Sequence, residues 1–288
     1  MKKLISLLAL SVVLSSCEKE IDYQIPNPGD KIVVSSRLES GKEPVFYIST
    51  SVYSMLAQNP KTSDIFSAKL FTDDPNSPFE LQSQLDSNNS FDPLYFYTTT
   101  HLVSAGKNYR LEVSAPGLEP VSAQTTVPEI TALENVRFDT VTRDLRFSFT
   151  DNANKANFYY IELQAADLEY NLWFSTVDPS LEFFEFSEDP FGGDGDGRSY
   201  GSEAFLDDDQ FNGQRKEVNL RIEEFNTDGQ FYVYLYSISE SFYRFRLTRA
   251  AGDFSGGFFS EPVQLFSNVQ GGYGIMAGLS YSRILVTL

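Results

Sequence analysis

The segment Phe231-Tyr232-Val233-Tyr234-Leu235-Tyr236-Ser237-Ile238 is apolar or aromatic on both of the faces that a strand would present. A strand with one solvated face alternates polar and apolar residues, whereas this pattern indicates burial on both faces. We therefore predict that it forms a central strand. The chain carries 25 Phe, 16 Tyr and 1 Trp among its 288 residues. Because aromatic residues favour strands, the rest of the fold is predicted to be mostly β as well.

Short alternating segments recur at intervals of about ten residues on the N-terminal side, as they do in β-sandwiches. The clearest of them are residues 32–38, 45–50, 109–113 and 121–127. A Gly-Lys-Asn-Tyr sequence that ends at Tyr109 resembles the tyrosine corner of immunoglobulin and fibronectin type III sandwiches. We predict an N-terminal immunoglobulin/fibronectin-like β-sandwich over residues 31–128.

Residues 129–288 are predicted to form a second β-rich domain, which contains the central strand. Alternation at residues 136–139 and 145–149 predicts a hairpin. A polar, acidic loop over residues 187–211 interrupts the strand pattern. The second domain is therefore expected to be β-rich but to carry a long surface excursion.

One short helix is predicted at residues 239–251, because Ser239 suits an N-cap and Gly252 suits a helix end. A helix there would pack one side and leave the other in solvent. The predicted packed residues are Phe242, Tyr243, Phe245, Leu247 and Ala250. The predicted solvated residues are Arg244, Arg246 and Arg249.

The first 17 residues have the layout of a secretory signal peptide. A basic start precedes an apolar run from residue 4 to residue 14, which is too short to span a bilayer. The run leads into Leu-Ser-Ser-Cys, which resembles the bacterial lipobox, and Cys17 is the only cysteine of the chain. We predict that Cys17 is the lipidated first residue, acylated for example by palmitate, and that residues 18–30 form a flexible tether. An ordinary signal peptide with an accidental cysteine is the alternative.

The predicted mature chain is strongly acidic. Residues 1–17 hold two of the 22 lysines and arginines and none of the 40 acids, so 20 bases face 40 acids and the net charge is −20. Such a body is repelled by nucleic acid and by anionic lipid headgroups. Nucleic-acid binding is therefore excluded, and the lipid on Cys17 must hold the protein at the membrane. Solubility alone is the other explanation for the acidity.

Acidic residues follow the predicted anchor directly, at Glu18, Glu20 and Asp22. This arrangement resembles the surface-export signal of Bacteroidota lipoproteins. The resemblance implies an outer-membrane protein that faces the cell exterior. A plain solvated linker is the alternative.

Few residues suit catalysis or metal binding. His101 is the only histidine, so with Cys17 acylated a cysteine nucleophile and a zinc site of usual composition are both excluded. A Ser-His-Asp triad would have to use His101, and we predict that the protein is not an enzyme.

The acidic loop contains the one candidate ion site. Asp194 and Asp196 lie in an Asp-Gly-Asp-Gly sequence, which lets carboxylates and backbone carbonyls converge on calcium. Position twelve counted from Asp194 is Phe205 and not Glu, so the loop is not an EF-hand. A solvated surface loop without an ion is the alternative.

Two features leave sugar chemistry open. Adjacent acids such as Glu223 and Glu224 could form the carboxylate pair of a glycosidase. Trp173, Tyr170 and Phe174 could stack on a sugar ring, although a single Trp on a strand is more often part of the core.

One tripeptide suggests a modification. Asp139-Thr140-Val141 resembles the O-glycosylation acceptor of exported Bacteroidota proteins. We predict that Thr140 is glycosylated, with a plain turn residue as the alternative.

A glycine-rich stretch lies near the C-terminus, at residues 268–278. Its glycines allow backbone conformations that other residues avoid, or a close backbone approach. We predict a loop that docks on a partner through Asn268, Gly271, Gly272 and Gly274. A tight bulge inside the second domain is the alternative.

In combination, three features are similar to one protein family: the lipobox, a sandwich with a Gly-Lys-Asn-Tyr-Arg-Leu-Glu-Val strand, and the C-terminal Ser-Asn-Val-x-Gly-Gly-x-Gly stretch. They resemble a Bacteroidota family of outer-membrane lipoproteins of undefined function, which are commonly encoded beside TonB-dependent receptors. The resemblance carries over no catalytic residue. It implies a non-enzymatic accessory subunit of a TonB-dependent transporter, for substrate capture or as a lid. The alternatives are a structural subunit of an outer-membrane assembly or secretion complex, and a surface polymer hydrolase.

Overall fold

The computed structural model describes residues 29–52, 65–86, 94–166, 170–184, 198–223, 229–254 and 263–287. Over these residues the chain is mostly β, as predicted, with 18 strands and one helix. The helix in this part of the chain lacks the length and apolarity that crossing a membrane requires.

The strands alternate inward and outward residues for most of their length. The N-terminal strands are β1 (Ile32–Glu39), β2 (Val45–Thr50), β3 (Ser67–Phe71), β4 (Phe79–Glu80), β5 (Gln82–Asp86), β6 (Leu94–Thr98), β7 (Lys107–Ser114) and β8 (Val121–Val127). They are followed by β9 (Glu134–Phe138), β10 (Asp144–Thr150), β11 (Phe158–Ala165), β12 (Phe174–Thr176), β13 (Ser199–Gly201), β14 (Glu203–Asp207) and β15 (Arg215–Ile222). The last elements are β16 (Phe231–Ile238), α1 (Glu240–Phe254), β17 (Val269–Gln270) and β18 (Tyr273–Val286).

These strands form three sheets. The long sheet has the order β14-β11-β16-β18-β1-β2-β6-β5. The first small sheet has the order β17-β8-β7-β3-β4, and the second small sheet has the order β13-β12-β15-β10-β9. Among the described strands, β1 and β18 form the parallel pair and the other pairs are antiparallel. Strand β16 lies inside the long sheet, as its sequence predicts.

The first sandwich consists of one half of the long sheet and the first small sheet. Its core contains Ile32, Val34, Phe46 and Leu111, which are fully buried. Tyr109 is buried as well, and its hydroxyl accepts a hydrogen bond from the backbone N–H of Ser104 at 2.7 Å. This is the tyrosine-corner contact that the sequence predicts.

The second sandwich consists of the other half of the long sheet and the second small sheet. Phe149, Tyr159, Ile161 and Phe174 lie in its core. The predicted hairpin is present, because β9 and β10 pair antiparallel. Each large apolar side chain buried in this way stabilises the fold by roughly 1.5–3 kcal/mol.

Strand β18 belongs to both sandwiches. Met276 lies in the first core. Further along the same face, Ser280 donates to the Glu129 carbonyl at 3.0 Å and Ser282 donates to the Thr131 carbonyl at 2.7 Å. The link between β8 and β9 therefore crosses this face of β18, and both small sheets lie on the same side of the long sheet.

This arrangement differs from the predicted division of the chain at residue 128. The chain does pass from one sandwich to the other there, but β17 pairs with β8 and the first half of β18 pairs with β1. The C-terminal strands thus complete the N-terminal sandwich. Periodicity predicts strands but contains no information about which distant strand they join.

Helix α1 packs on the opposite face of the long sheet, where Phe242 and Tyr243 contact Ile275 and Ala277. Ser239 caps the helix, as predicted, since its hydroxyl accepts the N–H of Phe242 at 3.4 Å. That hydroxyl also accepts the N–H of Gly278 at 3.0 Å, which joins the cap to β18.

Three helix predictions are wrong. The helix extends to Phe254, so Gly252 lies within it and does not end it. Leu247, predicted to pack, is 44% exposed. Arg246, predicted to be solvated, is largely buried and pairs with Glu203 of β14. A charged side chain can be buried when a partner neutralises it, and this partner is invisible in the local pattern.

The glycines near the start of β18 permit the close approach of β1. Gly274 has φ +111°, and a Cβ there would overlap the carbonyl oxygen of Val34. A Cβ on Gly272 would overlap the carbonyl oxygen of Ile32. Both positions therefore exclude any side chain.

We predict that Gly274→Ala lowers the free energy of unfolding by about 3 kcal/mol, because it adds backbone strain to a steric clash. The matched control is Gly252→Ala in α1, where a Cβ meets nothing closer than 4.0 Å. That variant should be neutral or more stable by up to about 1 kcal/mol, since Ala favours helix. Thermal and urea unfolding measure both effects. Equal stability of Gly274→Ala and the parent would contradict the close approach.

Candidate functional site

The outer face of the long sheet, turned away from both small sheets, carries five tyrosines beside α1. Tyr232, Tyr234 and Tyr236 alternate along β16. Tyr236 stands directly opposite Tyr160 of β11 and Tyr281 of β18. We call these five residues the tyrosine face.

The rings of the tyrosine face contact one another in a continuous series. The Tyr236 ring centroid lies 4.9 Å from that of Tyr160 and 5.4 Å from that of Tyr281. Tyr234 and Tyr236 are stacked at 5.6 Å with an interplanar angle of 12°. Aromatic pairs of this kind contribute about 0.5–1.5 kcal/mol each beyond area burial. The face is therefore held in place before any partner binds.

Arg283 covers one end of the series. Its guanidinium lies 4.8 Å from the Tyr232 centroid and 5.9 Å from the Tyr234 centroid, and it donates to the Tyr234 hydroxyl at 3.0 Å. That hydrogen bond raises the pKa of Arg283. Tyr234 is buried beneath it, whereas Leu285, opposite Tyr232, is 41% exposed. The aromatic series thus ends at an open rim.

Two carboxylates meet the other end of the series at the hydroxyl of Tyr160. The hydroxyl lies 2.9 Å from Glu203 Oε1 and also contacts Glu162. It has one proton and can donate to only one carboxylate, so both contacts are satisfied when the other carboxyl is protonated. Burial, and then the charge of Glu203, raise the pKa of Glu162. Arg246 pairs with Glu203 and offsets its charge.

The remaining predicted chemical groups do not join this face. His101 stacks on Phe79 with centroids 4.2 Å apart, in the first sandwich. Among the described residues, no three His, Cys, Asp or Glu side chains are arranged to hold a metal ion. Cys17, Asp194 and Asp196 lie outside the described residues, so their lipidation and calcium predictions stay predictions.

Thr140 is exposed in the β9–β10 turn. The Asp139 carboxylate closes this turn by accepting from the N–H of Val141 at 2.8 Å and of Thr142 at 3.1 Å. These backbone hydrogen bonds lower the pKa of Asp139. The turn explains the Asp at this position by itself, and glycosylation of Thr140 stays a prediction.

The side chain of Asn268 forms hydrogen bonds to backbone groups within the fold. Its amide nitrogen donates to the carbonyls of Met276 at 2.8 Å and Gln124 at 3.0 Å, and its amide oxygen accepts the N–H of Met276 at 2.9 Å. These hydrogen bonds, together with the close backbone approach at Gly272 and Gly274, explain the residue types of the glycine-rich stretch by packing within the fold alone. Docking through Asn268, Gly271, Gly272 and Gly274 stays a prediction.

The aromatic residues near β12 divide between surface and core. Trp173 is 36% exposed and lies 6.0 Å from Tyr200, and Tyr170 is 46% exposed. Phe174 is fully buried. The interpretation of Trp173 as a core residue is therefore wrong, because it lies immediately before the short strand and turns outward beside β13.

Sequence comparison places the chain in a family. The model of a domain of unknown function, DUF4249, matches residues 18–284. The chain belongs to this family. No curated protein matches the sequence. The matched range begins immediately after Cys17.

We predict that Glu162→Gln becomes more stabilising as the pH rises. A carboxyl whose pKa is raised by folding contributes stability below its ordinary pKa and loses that contribution as the pH rises through the raised value. Gln keeps the acceptor and removes the ionisation. The melting temperature of the variant relative to the parent should increase between pH 4 and pH 8 by roughly 2–4 °C, which about 1 kcal/mol produces in a chain of this size.

The control for this experiment is Glu119→Gln, at an exposed residue of the β7–β8 turn. Its difference from the parent should not change with pH. If the difference in melting temperature between Glu162→Gln and the parent is also independent of pH, folding does not raise the pKa of Glu162 and the prediction is contradicted.

Proposed function

We propose that the protein is an outer-membrane lipoprotein, anchored through Cys17 and facing the cell exterior. We further propose that it acts as a non-enzymatic accessory subunit of a TonB-dependent transporter, for substrate capture or as a lid. The Leu-Ser-Ser-Cys sequence and the acids that follow it support the anchor and its exposure. The resemblance of the whole mature chain to Bacteroidota lipoproteins supports the transporter as partner.

One observation carries the binding part of the proposal, namely the tyrosine face with its rim at Arg283 and Leu285. Tyrosine and arginine are the residues that most often dominate binding energy in protein interfaces. Rings that are already packed lose little conformational entropy when a partner covers them. The open rim gives a partner's loop access to apolar and cationic groups together.

The direction of β18 supports this use of the rim. Strand β1 follows the tether, and β18 runs parallel to it from Tyr273, which stands opposite Val33. Arg283 lies ten residues beyond Tyr273, at most about 33 Å at roughly 3.3 Å per residue. The rim is thus directed away from the lipid-bearing end of the chain, where a transporter's external loops would meet it.

The hydrolase alternative has one supporting observation, the Glu162–Glu203 pair with its shared tyrosine hydroxyl. Glycoside hydrolysis requires a pair of neighbouring carboxyl groups. Turnover of a glycan panel by the parent, lost in both Glu162→Gln and Glu203→Gln, would favour this function. No turnover by the parent would remove it.

If Cys17 carries the lipid anchor, its replacement should release the protein from the membrane. Cys17→Ala removes the acyl acceptor, so we expect the protein to leave the membrane fraction almost entirely after cell lysis and centrifugation, since several acyl chains supply the stable attachment. Ser16→Ala keeps a small residue before the cysteine and should remain in the membrane fraction. Retention of Cys17→Ala at the parental level would contradict the lipid anchor.

The transporter partnership predicts a co-purifying barrel. Extraction of the tagged, lipidated protein in gentle detergent, followed by mass spectrometry, should recover a TonB-dependent receptor in near-equal amount. Replacing Arg283 and Leu285 together by Ala should reduce the recovered barrel about tenfold, the effect of about 1.4 kcal/mol. The control is Val141→Ala, at a 90% exposed turn residue of the second sandwich.

Each result has a separate meaning. Recovery of the protein alone would overturn the transporter partnership, and recovery of biogenesis components would favour the structural-subunit alternative. A barrel that co-purifies equally with the parent and the double variant would keep the partnership and remove the rim as its contact.

A further inference from the structure

A positively charged surface lies on the outer side of the second small sheet. Arg137 of β9, Arg146 of β10, and Arg215 and Arg221 of β15 all point away from the second core and are exposed. We call these four residues the arginine face. They are concentrated on one sheet in a chain that carries 40 acids and only 22 lysines and arginines.

The pairing of these arginines is unusual. Arg146 stands directly opposite Arg137 on the neighbouring strand, and like charges in this position repel. Arg146 approaches Asp144 at 3.6 Å. With the described residues, Arg137, Arg215 and Arg221 form no ion pair. An anionic group placed between Arg137 and Arg146 would replace the repulsion with two attractive contacts.

A depression of about 560 Å³ lies over this part of the sheet. Its polar lining residues are Asn135, Arg137, Arg146, Ser148, Arg215, Glu217 and Asn219. Three arginines there face the single carboxylate of Glu217. Three other acids on this side of the sheet have partners, Asp144 with Arg146, Glu134 with the Thr150 hydroxyl and Glu223 with the Ser175 hydroxyl. The volume is in the range of small-ligand sites.

Ser148 fixes the floor of the depression. It is only 2% exposed, and its hydroxyl accepts from Arg215 Nη2 at 2.9 Å and from Asn135 Nδ2 at 3.2 Å. The hydroxyl itself donates to the Glu134 carbonyl. Two donors of the lining are thus held in position before a ligand arrives, which lowers the entropic cost of binding.

An exposed Trp and a half-buried Tyr lie at the other edge of the same sheet face. Arg221 stands opposite Ser175 of β12, and Ser175 stands opposite Tyr200 of β13. Tyr200 contacts Trp173. From β13 to β9 there are four strand spacings, about 19 Å in total at roughly 4.8 Å each. A sugar chain of a few residues spans that distance.

We infer that the arginine face binds an acidic oligosaccharide. The guanidinium groups of Arg137 and Arg146 take its carboxylate or sulfate groups, the amides of Asn135 and Asn219 take its hydroxyls, and Trp173 with Tyr200 stacks on a sugar ring. A protein partner fits less well, since the outward side chains of β10 and β15 are all polar and supply no apolar interface core. A long nucleic acid would reach beyond the four arginines to the rest of this acidic chain, whereas an oligosaccharide of a few residues stays on the face.

This inference adds a ligand class to the capture role of the proposed function, but its binding reaction involves this chain alone. The experiment uses the purified lipidated protein in detergent and isothermal titration calorimetry with three probes. These are an oligogalacturonate, a chondroitin sulfate oligosaccharide and a neutral malto-oligosaccharide of equal length. The first two separate a carboxylate source from a sulfate source.

We expect at least one acidic probe to bind and the neutral probe to bind at least tenfold more weakly. The double variant Arg137→Gln with Arg146→Gln should weaken acidic binding about tenfold or more, because it removes charge-assisted hydrogen bonds. The matched control is Lys107→Gln with Lys155→Gln, which removes the same charge from exposed sites elsewhere and should bind as the parent does. Trp173→Ala should weaken binding of the oligosaccharide.

Thermal unfolding keeps the test decisive if a variant is altered in stability. Without ligand, the arginine double variant should melt at or above the parental temperature, because the like-charge pair is gone. The acidic probe should raise the melting temperature of the parent and not that of the double variant.

Equal binding of neutral and acidic probes would overturn the inference, as would acidic binding that survives the arginine double variant. Binding of single-stranded DNA oligonucleotides as tightly as the acidic sugar would also overturn it. None of these results bears on whether a barrel co-purifies, so failure of the two proposals can be told apart.

Discussion

The backbone pairing of β18 joins the two sandwiches. Its first half hydrogen-bonds in parallel to β1 and its second half antiparallel to β16, so 14 consecutive residues join two hydrophobic cores in one sheet. Small residues are required where β1 and the end of β8 approach, because a Cβ on Gly274 or Gly278 would overlap a carbonyl oxygen of Val34 or Thr126. Loss of this pairing would uncover the first core at Met276.

The placement of both small sheets on one side of the long sheet has a chemical consequence. The opposite side is covered by α1 over only part of its width, and the residues beside the helix must tolerate partial burial. Tyrosine suits this position because its ring packs while its hydroxyl finds a partner. The same partial burial raises the pKa of Glu162, and Arg246 pairs with Glu203 because an isolated charge would be costly there.

The tyrosine face and the arginine face differ in the kind of partner that they suit. The first is aromatic and already packed, with one cation at an open rim, which fits a protein surface. The second is polar and cationic around a depression, which fits a small anionic ligand. The net negative charge of the body does not cancel the second face, because the field of exposed charges decays over about 8 Å at physiological salt. The two faces lie on different sheets and leave room for both to be occupied.

Most of the local elements can be predicted from the sequence. Alternation predicted most of the strands and the β9–β10 hairpin, the residues before Tyr109 predicted the tyrosine corner, and Ser239 predicted the helix cap, because each depends on neighbours within a few residues. The prediction of a surface loop over residues 187–211 is wrong for β13 and β14, where Ala204, Phe205 and Leu206 are buried because β14 pairs with the distant strand β11. Three features become apparent only in the folded chain: β18 completes the N-terminal sandwich, Tyr160 and Tyr281 flank Tyr236, and Arg146 faces Arg137. The alternation of the β16 tyrosines can be read in the sequence. The residues that complete the tyrosine face and the arginine face, however, come from strands that are far apart in the chain. Their meeting depends on the register between those strands, which long-range packing sets and local periodicity does not contain.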